Sequence, residues 1–355
     1  MSQFWSAMAK RAEPYVPGLQ LEDEKIIKLN TNENPYPASP AVIAAIQQET
    51  ANLQLYPSAT ADSLREQIAE AYQLSKEEVY VGNGSDEVLA FSFMAFFDQE
   101  HAIRFPNITY SFYPVYANLF NISYEEIPLN EDFTMPIESM FQAKGGVIFP
   151  NPNAPTGIYL ELTAVEAVIV NNPNVVVIVD EAYIDFAGAS AVELIRKYDN
   201  LLVIQTTSKS RSLAGLRVGL ALGNPILIEG LMRIKDSINS YPLDRLALAG
   251  AQAAFADNAY FVKTTKQIIT TREHVKAGLQ ALGFHVLPSQ TNFVFATHPN
   301  YEASELYEQL FAKGILVRHF NKKPIDQYLR ISIGTKTEME RFLESVKEII
   351  ATAER

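Results

Sequence analysis

Cysteine is absent from all 355 residues. That excludes disulfide scaffolds, thiolate metal sites and cysteine nucleophiles, and it accords with a reducing compartment. No stretch approaches the roughly 18 consecutive apolar residues that a membrane-spanning helix needs. The opening MSQFWSAMAKRAEPYVPG has neither a long apolar run nor a small-residue cleavage site, so a cytoplasmic rather than a secreted protein is expected. Histidine is scarce: His101, His274, His285, His298 and His319 show no HExxH or similar spacing, and no metal site is expected. A GxSxG nucleophile elbow is missing as well.

Positive charge is in deficit. Twenty-nine Lys and Arg stand against 41 Asp and Glu, giving a net charge of -12 and a pI of about 5.0. Most of the surface would repel a phosphate backbone, so neither nucleic acid nor an anionic membrane is an expected partner. A small anionic substrate is still allowed, because a few arginines focused in a cleft override the average field.

What is present is the composition of an ordinary globular protein, 48% hydrophobic and 20% charged. The length favours two domains. Residues 1–44 read as an irregular arm interrupted by Pro14, Pro17, Pro35, Pro37 and Pro40. SPAVIAAIQQETANL has helical spacing with proline near its start. ADSLREQIAEAYQL reads as a second helix, with Leu64, Ile68 and either Ala71 or Tyr72 on one face. VYVGN, AIRF, GGVIFP, NVVVIVD, LLVIQTT and GLRVGLALG are short apolar runs separated by helical ones. Such alternation predicts an α/β fold with a mainly parallel sheet covered on both faces. Near residue 245 the chain turns helical, then alternates between short strands and helices near 302–312 and 337–354. This predicts a smaller α+β domain that recruits the arm. The expected division is 1–44 for the arm, 45–260 for the large domain and 261–355 for the small one.

Candidate chemistry gathers at strand ends. Asp180 closes VVVIV, at the edge where open parallel sheets bind ligands. It reads either as a cap or solvated strand end, or as an anion that keeps a pyridinium nitrogen protonated. Lys209 follows the next strand among Thr206, Thr207, Ser208 and Ser210, with Arg211 and Arg217 nearby. That cluster suits a phosphate loop or an activated amine, since neighbouring cations depress a lysine pKa. Two successive strand ends bearing Asp and then Lys favour a Schiff-base site. NGSDE at 83–87 is either a turn with a helix cap or a phosphate site built on Gly84, Ser85 and Asp86. Tyr110 and Tyr113 are candidate aromatic lids, and Arg318 and Arg330 are candidate anion clamps.

Taken together and in order, PYVPG, KLNTNENPYP, YP at 56–57, NGSDE, NAPTG, DEAYIDF, TTSKSRSLAGLRVG and LRISIG resemble the fold-type I aminotransferases. The arm and DEAYIDF are similar to the histidinol-phosphate aminotransferase branch. The resemblance implies a pyridoxal 5'-phosphate cofactor in Schiff-base linkage to Lys209, which also shuttles protons. Asp180 would pair with the ring nitrogen, Tyr183 would bond the phenolic oxygen, and Tyr110 would stack on the ring. Ser85, Asp86, Ser208 and Arg217 would hold the phosphate, joined across a homodimer by Tyr56 of the partner subunit. Tyr15, Arg318 and Arg330 would face the substrate.

The family more often has Asn directly before PTG, touching the phenolic oxygen; here that residue is Ala154, preceded by Asn153. Either Asn153 reaches the oxygen or Tyr183 serves alone. The implied reaction of histidine biosynthesis exchanges L-histidinol phosphate and 2-oxoglutarate for imidazole-acetol phosphate and L-glutamate. An aminotransferase for aromatic amino acids, or a phosphothreonine decarboxylase of the same fold, is the alternative. A non-enzymatic binding protein would not need Lys209, Asp180, Tyr183 and Arg217 together.

Overall fold

Strands buried on both faces need continuous apolar runs, and three such runs form the middle of the larger sheet. The computed structural model describes residues 3–15, 18–19 and 25–353, so Pro17 lies outside the described residues. The arm is not wholly irregular: it carries α1 (Ala7–Arg11) and β1 (Ile27–Lys28). Next come α2 (Pro40–Glu49), α3 (Asp62–Tyr72), β2 (Val79–Asn83), α4 (Gly84–Phe96), β3 (Ile103–Pro106) and α5 (Phe112–Phe120). They are followed by β4 (Tyr124–Ile127), β5 (Val147–Pro150), α6 (Leu162–Val170), β6 (Val177–Asp180), β7 (Leu201–Thr206) and β8 (Val218–Gly223). Three helices lead away, α7 (Pro225–Ile238), α8 (Arg245–Ala256) and α9 (Asn258–Ala281). The last part comprises β9 (His285–Val286), β10 (Phe293–Thr297), α10 (Ala303–Ala312), β11 (Ile315–Leu316), β12 (Arg318–His319), β13 (Leu329–Ser332) and α11 (Lys336–Ala353).

The large sheet has strand order β2-β8-β7-β6-β5-β3-β4. Only β8 is antiparallel to its neighbours; the other pairs are parallel. Every residue of β6, β7 and β8 is buried. Side chains alternate between faces with period two. Val177, Val179, Leu201 and Val203 enter the layer packed with Leu64, Ile68 and Val165. Ile178, Leu202 and Ile204 enter the opposite layer with Val88, Phe93 and Tyr113. Tyr72, rather than the exposed Ala71, packs on the first layer.

The small sheet is antiparallel, in the order β12-β13-β10-β9. Beside it β1 pairs in parallel with β11, Ile27 opposite Ile315. Ile27 and Leu29 enter the apolar cluster that includes Ile268, Ile331 and Phe342. The arm is thus packed into the small sheet's core. The helical stretch after residue 245 is two helices broken at Asp257, whose carboxylate accepts from the Tyr260 amide at 3.1 Å and caps α9. The boundary expected at residue 260 falls in the first turn of α9. No helix of the described residues is long and apolar enough to cross a membrane.

Leu29 is only 2% exposed. Leu29→Ala should cost about 2–5 kcal/mol of stability, read as a lower denaturant midpoint at unchanged slope.

Candidate active site

The parallel register places Pro150, Asp180 and Ile204 side by side at one sheet edge. Asp180 shares its face with Ile178, so its carboxylate points into the α4–α5 layer and is 4% exposed. It accepts hydrogen bonds from the Tyr113 hydroxyl (2.9 Å) and the Ala182 amide (3.2 Å). Burial outweighs these two bonds, and Asp86 adds repulsion; the carboxyl is pushed up to about 6. No cation forms an ion pair with it among the described residues. Tyr113 is therefore no lid: fully buried, it braces Asp180 from behind. The next residue, Glu181, points to the other face. There burial pushes it up to about 7 although Ser190, the Ala191 amide and Gln205 donate to it.

Lys209 lies in the loop between β7 and β8. Its Nζ donates to the Thr31 carbonyl (3.3 Å) and sits 5.8 Å from the centre of the Tyr183 ring. Among the described residues it has no carboxylate partner. Arg211, expected to add charge there, is instead held between the rings of Phe255 and Phe261, 3.9 and 4.2 Å away. Two apolar rings offer a guanidinium a better place than a second cation does.

The NGSDE turn closes tightly because two glycines permit it. Gly84 has φ +77°, and a Cβ there would collide with Arg217; a Cβ on Gly219 of β8 would strike the Gly84 backbone. The N-terminus of α4, β8 and Arg217 thereby converge. Asp86 accepts from the Tyr110 hydroxyl (2.7 Å) and from Arg217 Nη2 (3.0 Å). Ser85, Ser208 and Arg217 line an inner chamber of about 380 Å³, which Asp180 and Lys209 also line. A helix start with two hydroxyls and a guanidinium is an anion cradle.

An outer chamber of about 480 Å³ shares Thr31, Tyr110, Ala154, Tyr183 and Lys209 with the inner one. Tyr15, Arg318 and Arg330 line it, Tyr15 packing on Phe112 at 4.4 Å. Arg330 donates from Nη2 to the Asn30 carbonyl (2.9 Å), while its buried Nε has no acceptor. Burial, together with Arg318 nearby, lowers its pKa. Neither guanidinium has a carboxylate partner among the described residues.

Two expected residues stand apart. Tyr56 is 81% exposed, stacks on Tyr241 at 5.0 Å and lines neither chamber. Asn153 also lines neither: its amide donates to the Ile108 carbonyl and to Thr156, both at 3.0 Å, and the wall is formed by Ala154. Conversely, sequence reasoning gave no role to Thr31 and Asn32. Asn32 has φ +55°, is 1% exposed and donates from Nδ2 to the Tyr183 hydroxyl oxygen at 2.9 Å. The signal available was NTNEN, three asparagines in five residues, the side chain that best tolerates the left-handed region.

A family model described as aminotransferase class I and II matches residues 24–346. The chain belongs to the class I and II aminotransferases. Among curated members, it is 58% identical to histidinol-phosphate aminotransferase 1 of Oceanobacillus iheyensis, over 99% of each chain. It is 55% identical to the histidinol-phosphate aminotransferase of Clostridium acetobutylicum, over 99% of this chain and 100% of the other. The solved aminotransferase of that name from Sinorhizobium meliloti, in complex with pyridoxal-5'-phosphate, superposes with a TM-score of 0.89 at 23% identity, covering 99% of each chain. That likeness shows the fold, a fold-type I α/β architecture.

Asp180 generates a prediction. Its folded value, about 6, lies above its ordinary 3.8. The folded protein therefore binds this proton more tightly, and stability falls as pH rises through that window. Without cofactor, Asp180→Asn should be more stable than the native chain at pH 7 by about 3 kcal/mol. Denaturant titrations should show this advantage shrinking towards pH 4.

Proposed function

We propose that this aminotransferase exchanges L-histidinol phosphate and 2-oxoglutarate for imidazole-acetol phosphate and L-glutamate, a step of histidine biosynthesis, with pyridoxal 5'-phosphate in its inner chamber. Relatives of that name at 52–58% identity support the reading. The observation that carries it is the pair Arg318 and Arg330, which have no carboxylate partner among the described residues and line a chamber that opens beside the Lys209 amine. Histidinol phosphate has no α-carboxylate; its anion is the phosphate. Two planar guanidiniums suit that phosphate in one half-reaction and a carboxylate of the oxo acid in the other.

The inner chamber fits the cofactor. Its anion cradle is closed by Gly84 and Gly219, its Asp180 carboxylate is buried without an ion pair, and Lys209 forms no salt bridge among the described residues. Bound there, pyridoxal phosphate supplies a ring that takes up the electron pair left on the substrate carbon. Ser85, Ser208, Arg217 and the start of α4 would hold its phosphate, with Asp86 orienting Arg217 and Tyr110. Asp180 would hold a proton on the ring nitrogen, an ion pair that offsets its burial. Tyr183 would donate its hydroxyl proton to the phenolic oxygen, and Tyr110 would cover the ring. Lys209 Nζ would take the proton from the substrate carbon and return it on the far side of the attached nitrogen, two bonds away, while Tyr15 would close the outer chamber over the anion.

The exposed ring of Tyr56 fits a homodimer in which it enters the cofactor site of the partner subunit. The same reading places the enzyme in the cytoplasm and divides it into an arm (1–44), a large domain (45–260) and a small domain (261–355).

Amino transfer to 2-oxoglutarate should be fastest from L-histidinol phosphate among that donor, phenylalanine and phosphothreonine. Equal or faster turnover of either competitor would overturn the substrate assignment. Lys209→Ala should abolish transfer and Tyr56→Ala should weaken cofactor binding. Unfolding and refolding the two variants together should restore activity above either alone, because one site of each mixed dimer regains both residues. No gain would place Tyr56 outside the neighbouring site.

A further inference from the structure

The segment Asn30–Asn34 touches several parts of the proposed machinery. The Asn30 carbonyl accepts from Arg330 and the Thr31 carbonyl from Lys209. Asn34 donates to the Lys209 and Ser210 carbonyls, at 2.8 and 3.2 Å. Asn32 stands in the middle and is bonded on every side. Its amide N–H donates to Ser332 Oγ at 2.9 Å, its Oδ1 accepts from that same hydroxyl at 2.9 Å, and its carbonyl accepts from Asn292 at 3.0 Å. Ser332 and Asn292 belong to the small-sheet region, whereas Tyr183 follows β6 of the large sheet.

Ser332 Oγ accepts from the Asn32 backbone and gives its own proton to Asn32 Oδ1, which leaves Nδ2 facing Tyr183 and gives the phenol oxygen a donor. With that lone pair engaged, the Tyr183 proton is left to point elsewhere. Among the described residues no acceptor takes it, and the Tyr183 side chain lines both chambers.

We propose that Asn32 is a positioning residue. Held by Ser332, it forces the Tyr183 hydroxyl to act as a proton donor towards the cofactor's phenolic oxygen, and it ties that donor to the strand carrying Arg330. β13 holds both Arg330, lining the outer chamber, and Ser332, two residues on and facing the same way. The inference rests on the proposed cofactor and adds a residue to its control. Because the wall at Ala154 carries no polar side chain, the Tyr183 bond has correspondingly more influence.

A phenol that donates to the ring oxygen favours its anionic form, so losing the donor raises the pKa at which the visible band of the lysine-bound cofactor titrates. The charged groups lining the two chambers are Glu33, Asp86, Asp180, Lys209 and Arg217 in the inner one and Glu126, Arg318, Lys322 and Arg330 in the outer; all are retained in the variants. Asn32→Gly keeps the left-handed backbone and its two main-chain bonds while removing the amide. In the holoenzyme it should move the titration upward by about 0.5–1 unit. In a Tyr183→Phe background the same substitution should move it no further. Ser332→Ala leaves Asn32 and Tyr183 in place but frees the amide to turn, and should give a smaller shift of the same sign; it carries the test if Asn32→Gly does not fold. A band unmoved by both variants but moved by Tyr183→Phe would overturn the proposal alone. A native protein with no visible band would overturn the cofactor assignment along with it.

Discussion

A carboxylate buried at a strand end stays ionised at neutral pH only against a cost, and Asp180 bears that cost in the absence of any cation. The Tyr113 hydroxyl and the Ala182 amide offset part of it, yet the group is still pushed up to about 6. Most of the site follows from this demand. On the proposed reading a flat aromatic cation would satisfy the charge, Lys209 would stand beside it, and the cradle at α4 would take the phosphate of the same molecule. The pleat decides where the demand is felt. Asp180 and Glu181 are adjacent carboxylates of similar burial, but alternation sends one to the chamber and the other into a hydroxyl–amide network behind the sheet. A shift of register by one residue would exchange their places and remove the site.

The arm converts two packed sheets into one reaction vessel. Ile27 and Leu29 are anchored in the small-sheet core, so the polar residues that follow are delivered to a defined place. Five residues later the chain has bonded Arg330, Lys209, Ser332, Tyr183 and Asn292. Backbone carbonyls do much of this, which explains the positive φ at Asn32: turning the chain there presents successive carbonyls in different directions. An asparagine tolerates that conformation and supplies an amide as well.

Strand ends were legible in the sequence because burial on both faces leaves an unbroken β-branched run, and a charged residue closing it is conspicuous. Asp180, closing such a run, and Lys209, in the loop after the next, were singled out as candidates on that ground, and the alternation of elements gave the parallel sheet. Side-chain direction was less legible. Tyr113 and Tyr110 are three residues apart in one motif, yet one braces the carboxylate from the core and the other lines the cavity. Arg211 and Arg217 read as equivalent charges, but aromatic rings thirty or more residues further on capture the first. Asn153 and Ala154 differ by one step along a loop, and a hydrogen bond to the distant Ile108 carbonyl, with one to Thr156, turns the asparagine away. Each of these outcomes depends on packing partners distant in sequence, which periodicity does not report.

The two chambers handle anions differently, and the difference suits a resident group and a visiting one. In the inner chamber Arg217 is shared with Asp86, and Lys209 and Arg217 together face Glu33, Asp86 and Asp180. A zwitterionic molecule, cation at the ring and anion at the phosphate, matches such mixed walls better than a simple anion does. The outer chamber adds Arg318, Arg330 and Lys322 against the single carboxylate Glu126. A protein of net charge -12 repels small dianions at a distance. Concentrating unpaired guanidiniums in one partly enclosed cleft reverses the sign of the field locally, where low-dielectric walls screen it least. If histidinol phosphate and 2-oxoglutarate are the substrates proposed above, they share only their negative charge, and this field, rather than a shaped apolar slot, would be the feature that accepts both in turn.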